Sequence, residues 1–95
     1  MNVRVELDWA LMTGRKEVHE YLKQQFQFPD YYGRNLDALY DLLSSAETGY
    51  EITFVNGHLV EANLGGYGSA LLATIKEAAE DNPKILIKDI DSGVC

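Results

Sequence analysis

Residues 28–45 read Phe-Pro-Asp-Tyr-Tyr-Gly-Arg-Asn-Leu-Asp-Ala-Leu-Tyr-Asp-Leu-Leu-Ser-Ser, and their reading decides how the rest of the chain is arranged. The first part is a turn. Pro29 ends any helix arriving from upstream, and Gly33 is free to take positive φ. Asn35 is a good N-cap, and the helix that it opens should run to about Ser44 or Ser45. At about 100° per residue, Leu36, Leu39, Tyr40, Leu42 and Leu43 fill one broad arc of that helix. Asp37 and Asp41 fall outside the arc at spacing i, i+4, with Ser44 beside them, so both carboxylates leave one exposed patch.

Upstream, residues 14–27 carry Val18, Leu22 and Phe26 at helical spacing with Tyr21 flanking, and Thr13 is the expected cap. Before them, residues 3–7 alternate as a strand with Val3, Val5 and Leu7 on one face. Downstream, a loop leads to a second strand at 50–55, and Asn56-Gly57 makes a turn. A short helical turn is expected at 58–63, followed by a flexible Gly-rich joint at 64–68. Ser69 should cap a long helix to about Glu80 that buries Leu71, Leu72, Ile75, Ala78 and Ala79. Asp81-Asn82-Pro83 breaks it, and residues 84–90 form the third strand. The continuous Ile85-Leu86-Ile87 suggests a strand covered on both faces. The order is β-α-α-β-(α)-α-β. Strands separated by helical crossovers lie parallel, so the expectation is an α/β domain: one three-stranded parallel sheet with packed helices, spanning residues 1–95 with 91–95 as a flexible tail.

Composition narrows the function. Fifteen Asp and Glu against eight Lys and Arg give a net charge of −7. Phosphate backbones and anionic membranes repel such a surface, whereas a basic protein is attracted, and faster at low salt. Cys95 is the single cysteine, so neither an internal disulfide nor a thiolate metal cluster can form. The N-terminal stretch has no apolar run resembling a signal peptide and nothing reaches membrane-spanning length, which fits a cytoplasmic protein.

The aspartate pair is the unusual feature. Like charges at i, i+4 cost a few tenths of a kcal/mol, which Asp37 partly recovers near the helix N-terminus. Two readings remain: an ordinary solvated face, or a surface held for an external positive partner. Acid–base catalysis would need the two carboxyls in different environments, and neighbours on an open helix lack that. His19 and His58 read as incidental surface or packing residues, and Gly65-Gly66-Tyr67-Gly68 matches no nucleotide-binding pattern. No catalytic residue, metal ligand or cofactor site is expected.

The run from Phe28 to Asp41 resembles the barstar family, in which a Pro-acid-Tyr-Tyr-Gly turn leads into an Asn-Leu-Asp-Ala-Leu-aromatic-Asp helix. The expected element order is also similar over nearly the whole chain. This resemblance implies a bacterial, cytoplasmic inhibitor that silences a basic secreted or toxin-type ribonuclease by plugging its catalytic groove, and that is a monomer before complex formation. It implies Asp41 as a mimic of substrate phosphate accepting charge-assisted hydrogen bonds. Asp37 would meet a second basic residue, Tyr31 would lay its ring against the catalytic region, and Glu77 with Thr74 would flank them. Tyr32 would be core. Three features depart from the family pattern. Arg34 replaces an acid, which places a positive charge beside the binding face; Tyr40 replaces a tryptophan; and the loop 44–49 is longer and lacks an aromatic. The alternative within the same fold is an immunity or regulatory protein for a different basic partner. An enzyme and a plain acidic scaffold are more distant alternatives.

Overall fold

The computed structural model describes residues 2–89; Ile90, the tail 91–95 and Cys95 lie outside the described residues. Strand β1 (Asn2–Asp8) leads through a 3-10 turn (Trp9–Leu11) into helix α1 (Arg15–Phe26) and helix α2 (Leu36–Ser44). Strand β2 (Gly49–Val55) follows, then a 3-10 turn (Gly57–Leu59), helices α3 (Val60–Leu64) and α4 (Gly66–Asp81), and strand β3 (Ile85–Asp89). The sheet order is β1-β2-β3 with both pairings parallel, Val5 opposite Ile52 and Ile52 opposite Ile87. This is the expected α/β architecture.

Alternation along the strands sends Val5, Leu7, Ile52, Phe54 and Ile85 inward, where they are buried. Val18, Leu22 and Phe26 of α1, Leu39 and Leu43 of α2, and Leu71, Ile75 and Ala78 of α4 close the core over that face. The other face of the sheet is polar. Glu51 pairs there with Lys88 at 3.0 Å and with Arg4 at 3.8 Å. Leu86 on this side is 48% exposed. The expectation of a third strand covered on both faces is therefore corrected: only alternate residues of the apolar run face the core.

Local chemistry moved several boundaries. Gly14, not Thr13, occupies the N-cap of α1, without a side-chain hydrogen bond. That helix ends in a left-handed Gln27 two residues before Pro29. In the turn, Arg34 takes the positive φ of 55° rather than Gly33. Gly33 sits in tight space instead, since a Cβ there would lie 3.2 Å from Cβ of Ala38, which would have to give by a few tenths of an ångström. Helix α4 begins at Gly66, not Ser69, so most of the supposed flexible joint is helical. Gly68 allows α3 and α4 to pack together, because a Cβ would come within 2.9 Å of the Val60 carbonyl oxygen.

The helix with the two aspartates is fixed at both ends by asparagines. Asn35 Oδ1 accepts the backbone N–H of Ala38 at 2.7 Å, the expected N-cap. At the other end, Asn82 is only 6% exposed. Its Nδ2 donates to the carbonyls of Leu43 and Ala46, each at 2.9 Å, and its Oδ1 accepts the Lys84 N–H at 3.0 Å. Its own N–H caps α4 by donating to Ala78 O at 2.9 Å. One side chain thus joins the C-termini of α2 and α4 at the entry to β3. Removing it takes a hydrogen bond from the Leu43 carbonyl, which keeps the Ala46 N–H, and from the partly buried Ala46 carbonyl, at about 1–3 kcal/mol for each unmet group. Asn82→Ala should lower stability by about 2–3 kcal/mol, read as a reduced denaturant midpoint with unchanged slope.

Candidate functional site

Joined at these ends, α2 and α4 enclose a shallow concavity of about 420 Å³ lined by Leu36, Asp37, Tyr40, Asp41, Thr74 and Glu77. Five of the seven residues singled out in the sequence meet here. No cation lines it. Asp37, Asp41 and Glu77 are exposed, and among the described residues no hydrogen bond or ion pair engages their carboxylates. Asp41 contributes to local structure only through its backbone carbonyl, which accepts Ser45 Oγ at 2.6 Å. Three negative groups thus face solvent with no ion pair to neutralise them among the described residues.

The floor is better ordered than the rim. The Tyr40 hydroxyl donates to the Asp81 carboxylate at the end of α4, and this hydrogen bond holds its pKa above the ordinary phenol value. The phenol therefore stays protonated as a second tie between the two helices. Thr74 Oγ1 donates to Ala70 O at 2.8 Å, which leaves its methyl as part of the wall. No group of His, Cys, Asp and Glu among the described residues is arranged to hold a metal ion, and no described helix is long and apolar enough to cross a membrane.

Tyr31 and Arg34 lie outside this lining. Successive tyrosines of the turn split in direction. Tyr31 is 80% exposed, while Tyr32 is buried, as expected, against Phe28 with ring centroids 4.8 Å apart. The Tyr32 hydroxyl bonds His19 Nδ1 at 2.6 Å, and His19 Nε2 bonds the Tyr67 hydroxyl at 2.5 Å. His19 is thus a buried packing histidine that ties α1, the turn and the start of α4 together. Arg34 donates to Glu20 at 2.5 Å and reaches the Tyr32 carbonyl at 3.4 Å, so part of its charge is met within the chain.

On its other side Arg34 enters a second cleft of about 440 Å³ with Arg15, Lys16, His19, Asn35, Leu36 and Tyr67. Of these, only Arg34 was singled out in the sequence. A signal was present in Arg15-Lys16, two cations in the first turn of a helix, where the macrodipole disfavours them.

Burial, with a smaller contribution from the Arg34 charge, lowers the His19 pKa below 6.5. The unfolded chain therefore takes up a proton before the folded one does. Stability from this group is complete above about pH 6.5 and falls as pH drops below it towards the folded value, by at most ~1.4 kcal/mol per pH unit. His19→Gln should lower stability overall and flatten its decline as pH falls below about 6.5, measured by urea midpoints. An unchanged decline would exclude His19 as its source.

The model of one protein family, described as Barstar (barnase inhibitor), matches residues 2–88. The chain is also 40% identical over 89 residues to a Bacillus subtilis (strain 168) protein named "Putative ribonuclease inhibitor YrdF", an alignment covering 90% of this chain and 98% of that protein.

Proposed function

The chain belongs to the barstar family, and from that premise we propose that it inhibits a barnase-like ribonuclease by filling the catalytic groove with α2. The observation that carries this reading is the concavity of Asp37, Asp41 and Glu77, three carboxylates with no cation in the lining. A surface left unneutralised repels itself, and a positively lined groove relieves that repulsion on contact.

In this reading the protein is an inhibitor and not an enzyme. Asp41, in the middle of α2, enters deepest and takes the place of the scissile phosphate, accepting charge-assisted hydrogen bonds from Arg, Lys or His side chains. A carboxylate offers no phosphodiester to cleave, so occupancy is inhibition. Asp37 meets a second basic group at the mouth, and Glu77 with Thr74 lines the opposite wall. The exposed Tyr31 ring packs on the enzyme beside the groove, and Tyr40, tied to Asp81, gives the contact a fixed floor. Opposite net charges steer the encounter. The target is a basic secreted or toxin-type enzyme, held silent in the cytoplasm by a monomeric inhibitor.

Asp41→Ala should weaken inhibition of a barnase-type ribonuclease by two orders of magnitude or more, about 3 kcal/mol, because a desolvated basic site is left unpaired. Asp37→Ala should weaken it less. Neither change should move folding stability by more than about 0.5 kcal/mol, since both carboxylates are exposed. Inhibition constants from RNA cleavage, with thermal melts of the free variants, check this. Wild-type affinity in Asp41→Ala would refute the mechanism.

A further inference from the structure

Beside the acidic concavity lies its electrostatic opposite. The cleft of Arg15, Lys16, His19, Arg34, Asn35, Leu36 and Tyr67 is lined by three of the chain's eight Lys and Arg and by no acid. Arg34 is paired at its side with Glu20 at 2.5 Å, which leaves Arg15 and Lys16 as the cleft's cations without an ion pair among the described residues. It shares Leu36 with the acidic concavity, so the two lie side by side across the start of α2. Lys16 is exposed, and neither it nor Arg15 has a carboxylate within ion-pairing distance among the described residues. Arg15 is instead held over the Tyr67 ring, 4.5 Å from its centroid. Tyr67 in turn is fixed by His19. The arrangement is ordered from beneath and open above.

On a chain of charge −7 such a cleft is not explained by solubility. Two adjacent cations in the first turn of α1 oppose the helix macrodipole, so folding does not call for them either. What fits the cleft must be anionic. It must also approach next to Asp37 and Asp41, which repel a polyphosphate chain but attract a protein of mixed charge.

We propose that this cleft receives one or two carboxylate side chains of the same ribonuclease whose basic groove takes Asp37 and Asp41, an inference that rests on the inhibitor reading. The partner is then recognised by a pattern of two signs: a positive groove with an acid at its edge. Attraction at the first patch supplies most of the affinity. The second patch fixes rotation about α2 and rejects enzymes that carry a cation at the edge, where like charges would meet.

The test uses the full chain, a barnase-type ribonuclease and a fluorogenic RNA. Lys16→Glu, alone and with Arg15→Glu, should raise the inhibition constant at least tenfold. Lys88→Glu on the open sheet face, which matches the net-charge change of Lys16→Glu alone, should raise it less than threefold, and circular dichroism should show all variants folded. Carbodiimide treatment of the wild-type complex, which condenses an amine with a carboxylate in contact, should join Lys16 to an Asp or Glu of the enzyme. If the Lys16 and Arg15 variants match Lys88→Glu while Asp41→Ala is still impaired, this proposal falls and the inhibitor reading stands. If the wild-type chain does not inhibit, both fall. If the free chain binds a labelled RNA oligonucleotide and Lys16→Glu abolishes that, the cleft is a phosphate site and the proposal is overturned.

Discussion

The Asn82 carboxamide is the constraint on which the rest of the site depends. It reaches two carbonyls at the end of α2 while its own backbone closes α4, so one residue joins the C-terminal ends of the two helices that line the acidic concavity. Without that junction the two helices could slide, and Asp41 and Glu77 would no longer face one concavity. Tyr40 with Asp81 supplies a second tie nearer the surface, and Asn35 fixes the other end of α2. Asp37, Asp41 and Glu77 take no part in these ties. Shape is set by amides, a phenol and apolar packing, which leaves the carboxylates free for an external partner. Little ordering entropy then remains to be lost on binding.

The distribution of charge follows the same division. Away from the concavity, three acids are paired within the chain: Asp30 with Lys23, Glu20 with Arg34, and Glu51 with Lys88 and Arg4. These cations hold the pKa of each of the three carboxyls below its ordinary value. Such exposed pairs add little to stability, but they confine the unneutralised negative field to fewer places, of which the α2–α4 concavity is one. The basic cleft beside it sharpens the contrast. A surface with adjoining patches of opposite sign carries orientation as well as attraction, which a uniformly acidic globule would lack.

Much of this was legible in the sequence because period and punctuation agreed. Alternation in residues 3–7 and 50–55 gave the strands, Asn35 gave the cap, and the i, i+4 aspartates gave the exposed patch. What could not be read depended on contacts distant in the chain. Glycines look like flexibility in a sequence; only the approach of Val60 to Gly68 shows that glycine there permits helix packing. Arg34 took the left-handed conformation while glycine stood one residue away, packed closely against Ala38, which no local rule foretells. The His19–Tyr32–Tyr67 chain spans 48 residues and follows no periodicity. The basic cleft was missed because its cations come from both α1 and the turn before α2, which no local pattern joins.

If Asp41 stands in for a scissile phosphate, inhibitor and nucleotide cannot occupy the enzyme together. The direct measurement is the affinity of the chain for a barnase-type ribonuclease in rising concentrations of a nucleoside monophosphate that binds the catalytic groove. The account predicts that the apparent Kd rises linearly with the free nucleotide concentration and does not level off when the enzyme is saturated, as simple competition requires. An apparent Kd indifferent to saturating nucleotide, with a ternary complex formed, would contradict it.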